Sequence, residues 1–238
     1  DPGALRGVSV TASGNTSASA DSYYQAVDEV KSWARTRRKG QPARLNVQHL
    51  LASAALPILF PAERIGNEYF GDGGMRMVAP LSPAIHLGAD KILVVGTRDE
   101  KPDAAPQSPT QYPSAGEIGG YLMDTIFMDT LNADLARMRR INKTLALVPE
   151  EKRQQTGMKH IESLVIKPSR DLRHVTRAHV HEIPRSVQIL LRTLGGWGRD
   201  WRMASYLLFE SAYCGELIDL GYADGMRAEA DIVRFLQS

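Results

Sequence analysis
The chain has 238 residues, 43% of them hydrophobic, with 29 basic against 27 acidic side chains and one cysteine, Cys214. That is enough apolar material for one sizeable core, and a net charge of +2 excludes the single-sign field of a dedicated nucleic-acid binder. One cysteine excludes an internal disulfide framework and any cysteine cluster of metal-ligand spacing, and no apolar run is long enough to span a bilayer.

Val8 to Ala12 (VSVTA) is β-branched and bounded by Gly7 and by Ser13-Gly14-Asn15, which predicts a buried strand. Between Ala20 and Arg37, Tyr24, Val27, Val30 and Trp33 recur every three residues, the pattern of a short helix or of a surface excursion. Arg35, Arg37, Arg38 and Lys39 then form a basic cluster, read as a solvated loop whose first candidate task is contact with anionic lipid headgroups. Asn46 is the expected N-cap of a helix running to Ala55, stopped by Pro57. Ala62–Ile65 and Glu68–Phe70 read as two short strands around the turn Gly66-Asn67. Pro83–Leu87 is a short helix, and Lys91–Gly96 (KILVVG) a strand expected to be buried on both faces of a parallel sheet.

Residues 99 to 115, with four prolines, read as a long loop or lid. Glu117 to Thr144 carries apolar residues at helical spacing, and Leu164–Ile166 is another strand. From Thr176 the chain is mostly helical, with a break at Gly195-Gly196 beside Trp197 and Trp201. The break is read as two packed tryptophans rather than as an interfacial lid. His174, His179 and His181 are taken as surface or capping residues, so no metal is expected, and no cofactor either.

Asp72, followed by Gly73 and Gly74, is the one motif with chemical content. Two glycines after an acid allow a sharp turn with open space beside a carboxylate, although the tripeptide alone favours an ordinary turn. The wider stretch decides between them. It holds Ala52-Ser53-Ala54-Ala55-Leu56-Pro57, Phe60-Pro61, Tyr69 ahead of Asp72-Gly73-Gly74, Pro80, a helix ending Leu87-Gly88-Ala89-Asp90, and then the apolar strand. Residues 51 to 96 thus resemble the C-terminal half of the catalytic domain of patatin-like phospholipases.

The resemblance implies a three-layer α/β/α sandwich and hydrolysis of acyl-ester lipids by a serine–aspartate dyad, with Asp72 as the aspartate that accepts or holds the serine proton. Tyr69, Phe70, Met75 and Met77 are expected to desolvate it. Gly73 and Gly74 shape the loop. Arg76 is a candidate for a substrate phosphate or carboxylate, although beside Asp72 it would oppose that desolvation. Ser53 is structural, letting its helix pack closely.

The family's glycine-rich oxyanion run and Gly-x-Ser-x-Gly elbow do not occur in these 238 residues. Ser9 and Ser17 are the nearest imitations, and neither has the spacing. The expectation is therefore a partial domain, residues 1–170, lacking its N-terminal half and nucleophile, with a helical extension over 171–238 packed on it. Such a fragment alone is expected to be inactive. Expected partners are an acyl-ester lipid, contact at a membrane periphery and the missing half of the protein, with no nucleic acid. Localisation is expected to be cytoplasmic or membrane-peripheral. The alternative is a non-catalytic domain of the same fold that binds an acyl chain or another protein.

Overall fold
The computed structural model describes residues 5–57, 59–98, 112–197 and 201–237. The chain forms two compact units, one of residues 1–92 with 129–162, the other of 93–128 with 163–238.

Unit one is organised by a mixed sheet of six strands: β1 (Gly7–Gly14), β2 (Ala20–Ala26), β3 (Trp33–Arg35), β4 (Arg38–Pro42), β5 (Glu63–Ile65) and β6 (Glu68–Asp72), in the order β3-β4-β2-β1-β6-β5. Only β2 and β4 run parallel; the other pairs are antiparallel. The helical spacing read between Ala20 and Arg37 is therefore wrong, and the segment is β2, β3 and the β3–β4 turn. The cause is burial. β2 lies between β1 and β4, and Ala20 to Tyr24 are all buried, so the strand shows no alternation of apolar and polar residues.

Residues facing one another across paired strands share a face of the sheet. One row runs Asp72, Ala12, Asp21, Lys39, Ala34 across β6, β1, β2, β4 and β3. The next runs Gly71, Ser13, Ala20, Arg38, Arg35. On the first face, Ala12, Tyr23 and Phe70 form a core with Ala52 of α1 (Val47–Ser53). Tyr23 meets both Phe70 and His49 edge to face, at 5.8 and 4.8 Å. Asn46 caps α1 as expected, its side chain accepting from the His49 N–H.

Asp21 is fully buried in this sheet. Its carboxylate accepts from Ser19 Oγ at 2.6 Å, and the Lys39 ammonium stands 3.0 Å away. Removing the ammonium leaves a buried charge with one hydroxyl. Because Lys39 is nearly half exposed, Lys39→Met is expected to cost about 2 kcal/mol, below the usual loss for a fully buried pair, and urea unfolding at neutral pH reads it.

After β6 come a 3-10 turn (Gly73–Arg76) and α2 (Ser82–His86). β7 (Lys91–Val95) pairs with β8 (Glu162–Ile166) in a separate two-stranded sheet. The apolar run of β7 was expected to be buried on both faces, and it is not: Ile92 and Val94 are buried, Leu93 and Val95 exposed. Burial alternates along the strand, so one of its faces is packed and the other is open, although the run is apolar on both. The long helix α3 (Ala115–Ala146) is followed by α4 (Glu150–Arg153). In unit one the buried carboxylate Asp134 of α3 accepts from the Leu81 N–H at 3.1 Å, and Asn142 exchanges two hydrogen bonds with the Ile161 backbone.

Unit two is helical over its C-terminal part: α5 (Leu172–His179), α6 (Arg185–Thr193), α7 (Arg202–Ser205), α8 (Ser211–Arg227) and α9 (Glu229–Gln237). Val175, Leu191, Ala204, Leu208, Tyr213 and Leu220 form its core. Trp197 and Trp201 pack against that core and meet edge to face at 5.3 Å, as the packed-tryptophan reading expects. Residues 198–200 between them, and residues 99–111 of the expected lid, lie outside the described residues.

His179 in α5 is held between two carboxylates, Glu182 at 2.7 Å and Glu216 at 2.8 Å. Those bonds raise the imidazole above its ordinary value, while the bonds from His179 and Arg170 lower the Glu216 carboxyl. The histidine's contribution to stability is complete below the ordinary imidazole pKa and is lost as pH rises through its raised folded value. The Glu216 contribution is present above the ordinary carboxylate pKa and is lost as pH falls through its lowered folded value. The difference in urea stability between wild type and His179→Gln is therefore expected to peak between about pH 4.5 and 6.5. A difference that does not change with pH would show that the ring is not charged there.

Candidate active site around Asp72
The hairpin β5–β6 is built by Gly66, whose φ of +63° supplies the left-handed first position of a two-residue turn. β6 then carries Asp72 into the sheet as its last residue, opposite Ala12 of β1. The Asp72 N–H donates to the Ala55 carbonyl at 2.9 Å, which ties the strand end to the segment after α1. One carboxylate oxygen of Asp72 accepts the Gly74 N–H at 2.8 Å. The motif is thus an aspartate-capped turn at a strand end.

Gly73 is fixed by close packing. A Cβ there would lie 2.1 Å from the Thr11 carbonyl oxygen, so β1 and the turn approach closer than any side chain allows. Its own carbonyl accepts from Ser13 Oγ at 3.3 Å. Burial pushes the Asp72 carboxyl above the ordinary carboxylate value, and the Gly74 N–H pulls part of that back. Of the residues expected to desolvate it, Phe70 is buried and shares its face of β6, whereas Tyr69 and Met75 are exposed. Arg76 is exposed and does not enter the balance on Asp72, so the expected opposition does not arise.

A concave groove of about 550 Å³ lies on the same face, lined by Val8, Val10, Ala26, Leu45 and Leu50 among others. Val10 is the next residue on that face of β1 after Ala12, so the groove begins about 7 Å along the strand from the Asp72 row. Its lining is mainly apolar.

The two serines resembling nucleophiles are placed otherwise. Ser17 sits in the turn of the β1–β2 hairpin, its N–H on Glu68 at 2.6 Å and its Oγ on Ser19 Oγ at 2.8 Å. A strand–turn–strand is not the strand–turn–helix of a nucleophile elbow. Ser9 lies inside β1 with its Oγ buried, and Ser53 ends α1. Among the described residues no serine hydroxyl bonds to Asp72. Sequence reasoning missed the network Glu68–Ser17–Ser19–Asp21–Lys39, because the parallel β2–β4 register alone brings Lys39 to Asp21.

No curated protein and no solved structure was found to match the chain. The family model for patatin-like phospholipase matches residues 14–85, a stretch that runs from the end of β1 through Asp72 to α2. The fold is α/β, with a mixed sheet and many helices. Residues 14–85, less than a third of the chain, are thus similar to patatin-like phospholipase, which is consistent with a patatin-like family member.

Proposed function
We propose that Asp72 is the acidic half of a serine–aspartate dyad that hydrolyses acyl-ester lipids, and that the nucleophilic serine comes from outside these 238 residues. The reading rests on one observation: the carboxylate that the patatin-like segment carries is half-buried, held by the Gly74 N–H and raised in pKa by desolvation. A raised pKa makes a carboxylate a better proton acceptor, and two glycines leave backbone rather than side chains beside it. The neighbouring apolar groove supports an acyl chain as the substrate's tail. Arg76, exposed after the turn, would meet an anionic headgroup, with Gly73 and Gly74 holding the acid in position.

In this reaction Asp72 takes the proton of the serine hydroxyl as its oxygen attacks the ester carbonyl, then returns that proton to the ester's leaving oxygen as the C–O bond breaks and the alcohol departs. Water then releases the acyl group from the serine. The second reading, a non-catalytic acyl-binding domain, is favoured by the lack of a serine on Asp72 among the described residues. Labelling with a serine-directed fluorophosphonate separates the two. The protein carrying an upstream Gly-x-Ser-x-Gly segment should label and hydrolyse esters; residues 1–238 alone should do neither. Labelling of the 238 residues at Ser9 or Ser17 would overturn the assignment of the nucleophile.

A further inference from the structure
The edge hairpin β3–β4 carries three arginines that no carboxylate pairs with among the described residues. Arg35 and Arg38 face each other across the pair, and Arg37 occupies the turn with φ +59°. Arg35 and Arg37 are exposed and Arg38 half-buried, and none of the three has an ion pair among the described residues. Four other cations of unit one have carboxylates: Lys39 pairs with Asp21, Arg6 with Asp28, Arg137 with Asp134 and Lys159 with Asp90. The neutralisation of Lys39 leaves the charge of this hairpin to its three arginines.

An aromatic stack stands beside them. Trp33, half-buried at the start of β3, lies between Tyr24 at 5.2 Å and His86 at 4.3 Å, nearly parallel to both. It also lies flat on Gly40, where a Cβ would meet its ring at 2.1 Å. Burial lowers the His86 pKa, and Arg35 and Arg38 are close enough to add to that. Cations grouped around a partly exposed indole suit the headgroup layer of a bilayer, where arginine meets phosphate and tryptophan meets the interface.

The register fixes where this tip lies relative to Asp72. Asp72 is in the row of Ala12, and Arg35 and Arg38 are in the next row, that of Ser13. Along the strands the two features are thus about 3.4 Å apart, and four strand spacings, about 19 Å, separate β3 from β6 across the sheet. They occupy the same end of one sheet.

We propose that the β3–β4 hairpin docks on anionic phospholipid headgroups of a bilayer through Arg35, Arg37 and Arg38, and so brings the sheet end that carries Asp72 to the lipid. The purpose of that placement rests on the hydrolase reading; the docking itself does not. A bilayer fits better than a nucleic acid because three charges at one tip suit a point contact, whereas a duplex calls for a longer basic stripe, and the chain as a whole is nearly neutral.

The test is co-sedimentation of the protein with vesicles of phosphatidylcholine alone and of phosphatidylcholine with phosphatidylglycerol. Binding is expected only with the anionic lipid and should fall steeply with added salt. The variant Arg35→Gln/Arg37→Asn/Arg38→Gln should bind on the order of 100-fold more weakly, and the triple lysine variant should recover most of the affinity. The lysine variant and the salt series keep the proposal open to refutation if the neutral variant misfolds. Equal binding to neutral vesicles, or undiminished binding by the folded neutral variant, would overturn it. So would retention of single-stranded RNA without any vesicle binding. Asp72→Asn should bind vesicles like wild type, so a failure of catalysis and a failure of docking give different results.

Discussion

Asp72→Asn is expected to lower ester hydrolysis by the protein bearing its nucleophile about 100- to 10,000-fold, the range for loss of a positioned general base. Asparagine keeps an oxygen for the Gly74 N–H and so preserves the turn, but it cannot take a proton. The wild-type rate should fall as pH drops through the raised pKa of Asp72, because the protonated acid is no longer a base. The stability of the fold should respond in the opposite sense. An acid whose folded pKa lies above its unfolded one costs nothing while protonated, and the cost grows as pH rises from the unfolded to the folded value. The variant should therefore be no less stable than wild type at neutral pH while having lost its activity. Undiminished turnover in the variant, measured on a soluble ester, would remove Asp72 from the mechanism.

Gly73→Ala is expected to be the most disruptive single methyl in the site. The new Cβ would meet the Thr11 carbonyl at 2.1 Å, and the obstacle is backbone in a sheet strand rather than a side chain that can rotate away. Relief requires β1 and the turn to separate, straining the Ser13 contact with the Gly73 carbonyl and the short β1–β6 pairing of Ala12, Ser13 and Gly14. The expected loss is about 3 kcal/mol, at the upper end for overpacking, with hydrolysis falling as Asp72 is displaced. Urea unfolding measures the first effect and steady-state kinetics the second. Gly66→Ala is the control, since a methyl there meets nothing within 4 Å and only the positive φ opposes it. If Gly73→Ala costs no more than Gly66→Ala, the close approach of β1 is not what fixes the turn.

What could be read from the sequence was local. Gly66-Asn67 announces its hairpin and Asn46 its helix because turns and caps are set by neighbouring residues. Asp72 was legible through its glycines together with the surrounding patatin-like segment. What depends on strand order was hidden. β2 reads as no strand because both its faces are covered, and Asp21 gives no sign in the sequence that it will be the most buried acid of the sheet. The arginine cluster was visible as charge. That it lies at the same end of the sheet as Asp72 follows only from the pairing of five strands. Ser17 already lacked the spacing of a serine elbow, and the strand that follows its turn removes the strand–turn–helix context as well.

The bond from the Asp72 N–H to the Ala55 carbonyl joins main chain to main chain. No side-chain replacement at position 55 can delete that acceptor, so the anchor of the acid is insulated from mutation at its own contact point. What can move it is a change of chain length or path between α1 and β5. Insertions and deletions over residues 56–62 should therefore perturb the ionisation of Asp72 more than substitutions there do, although none of those residues need touch the substrate.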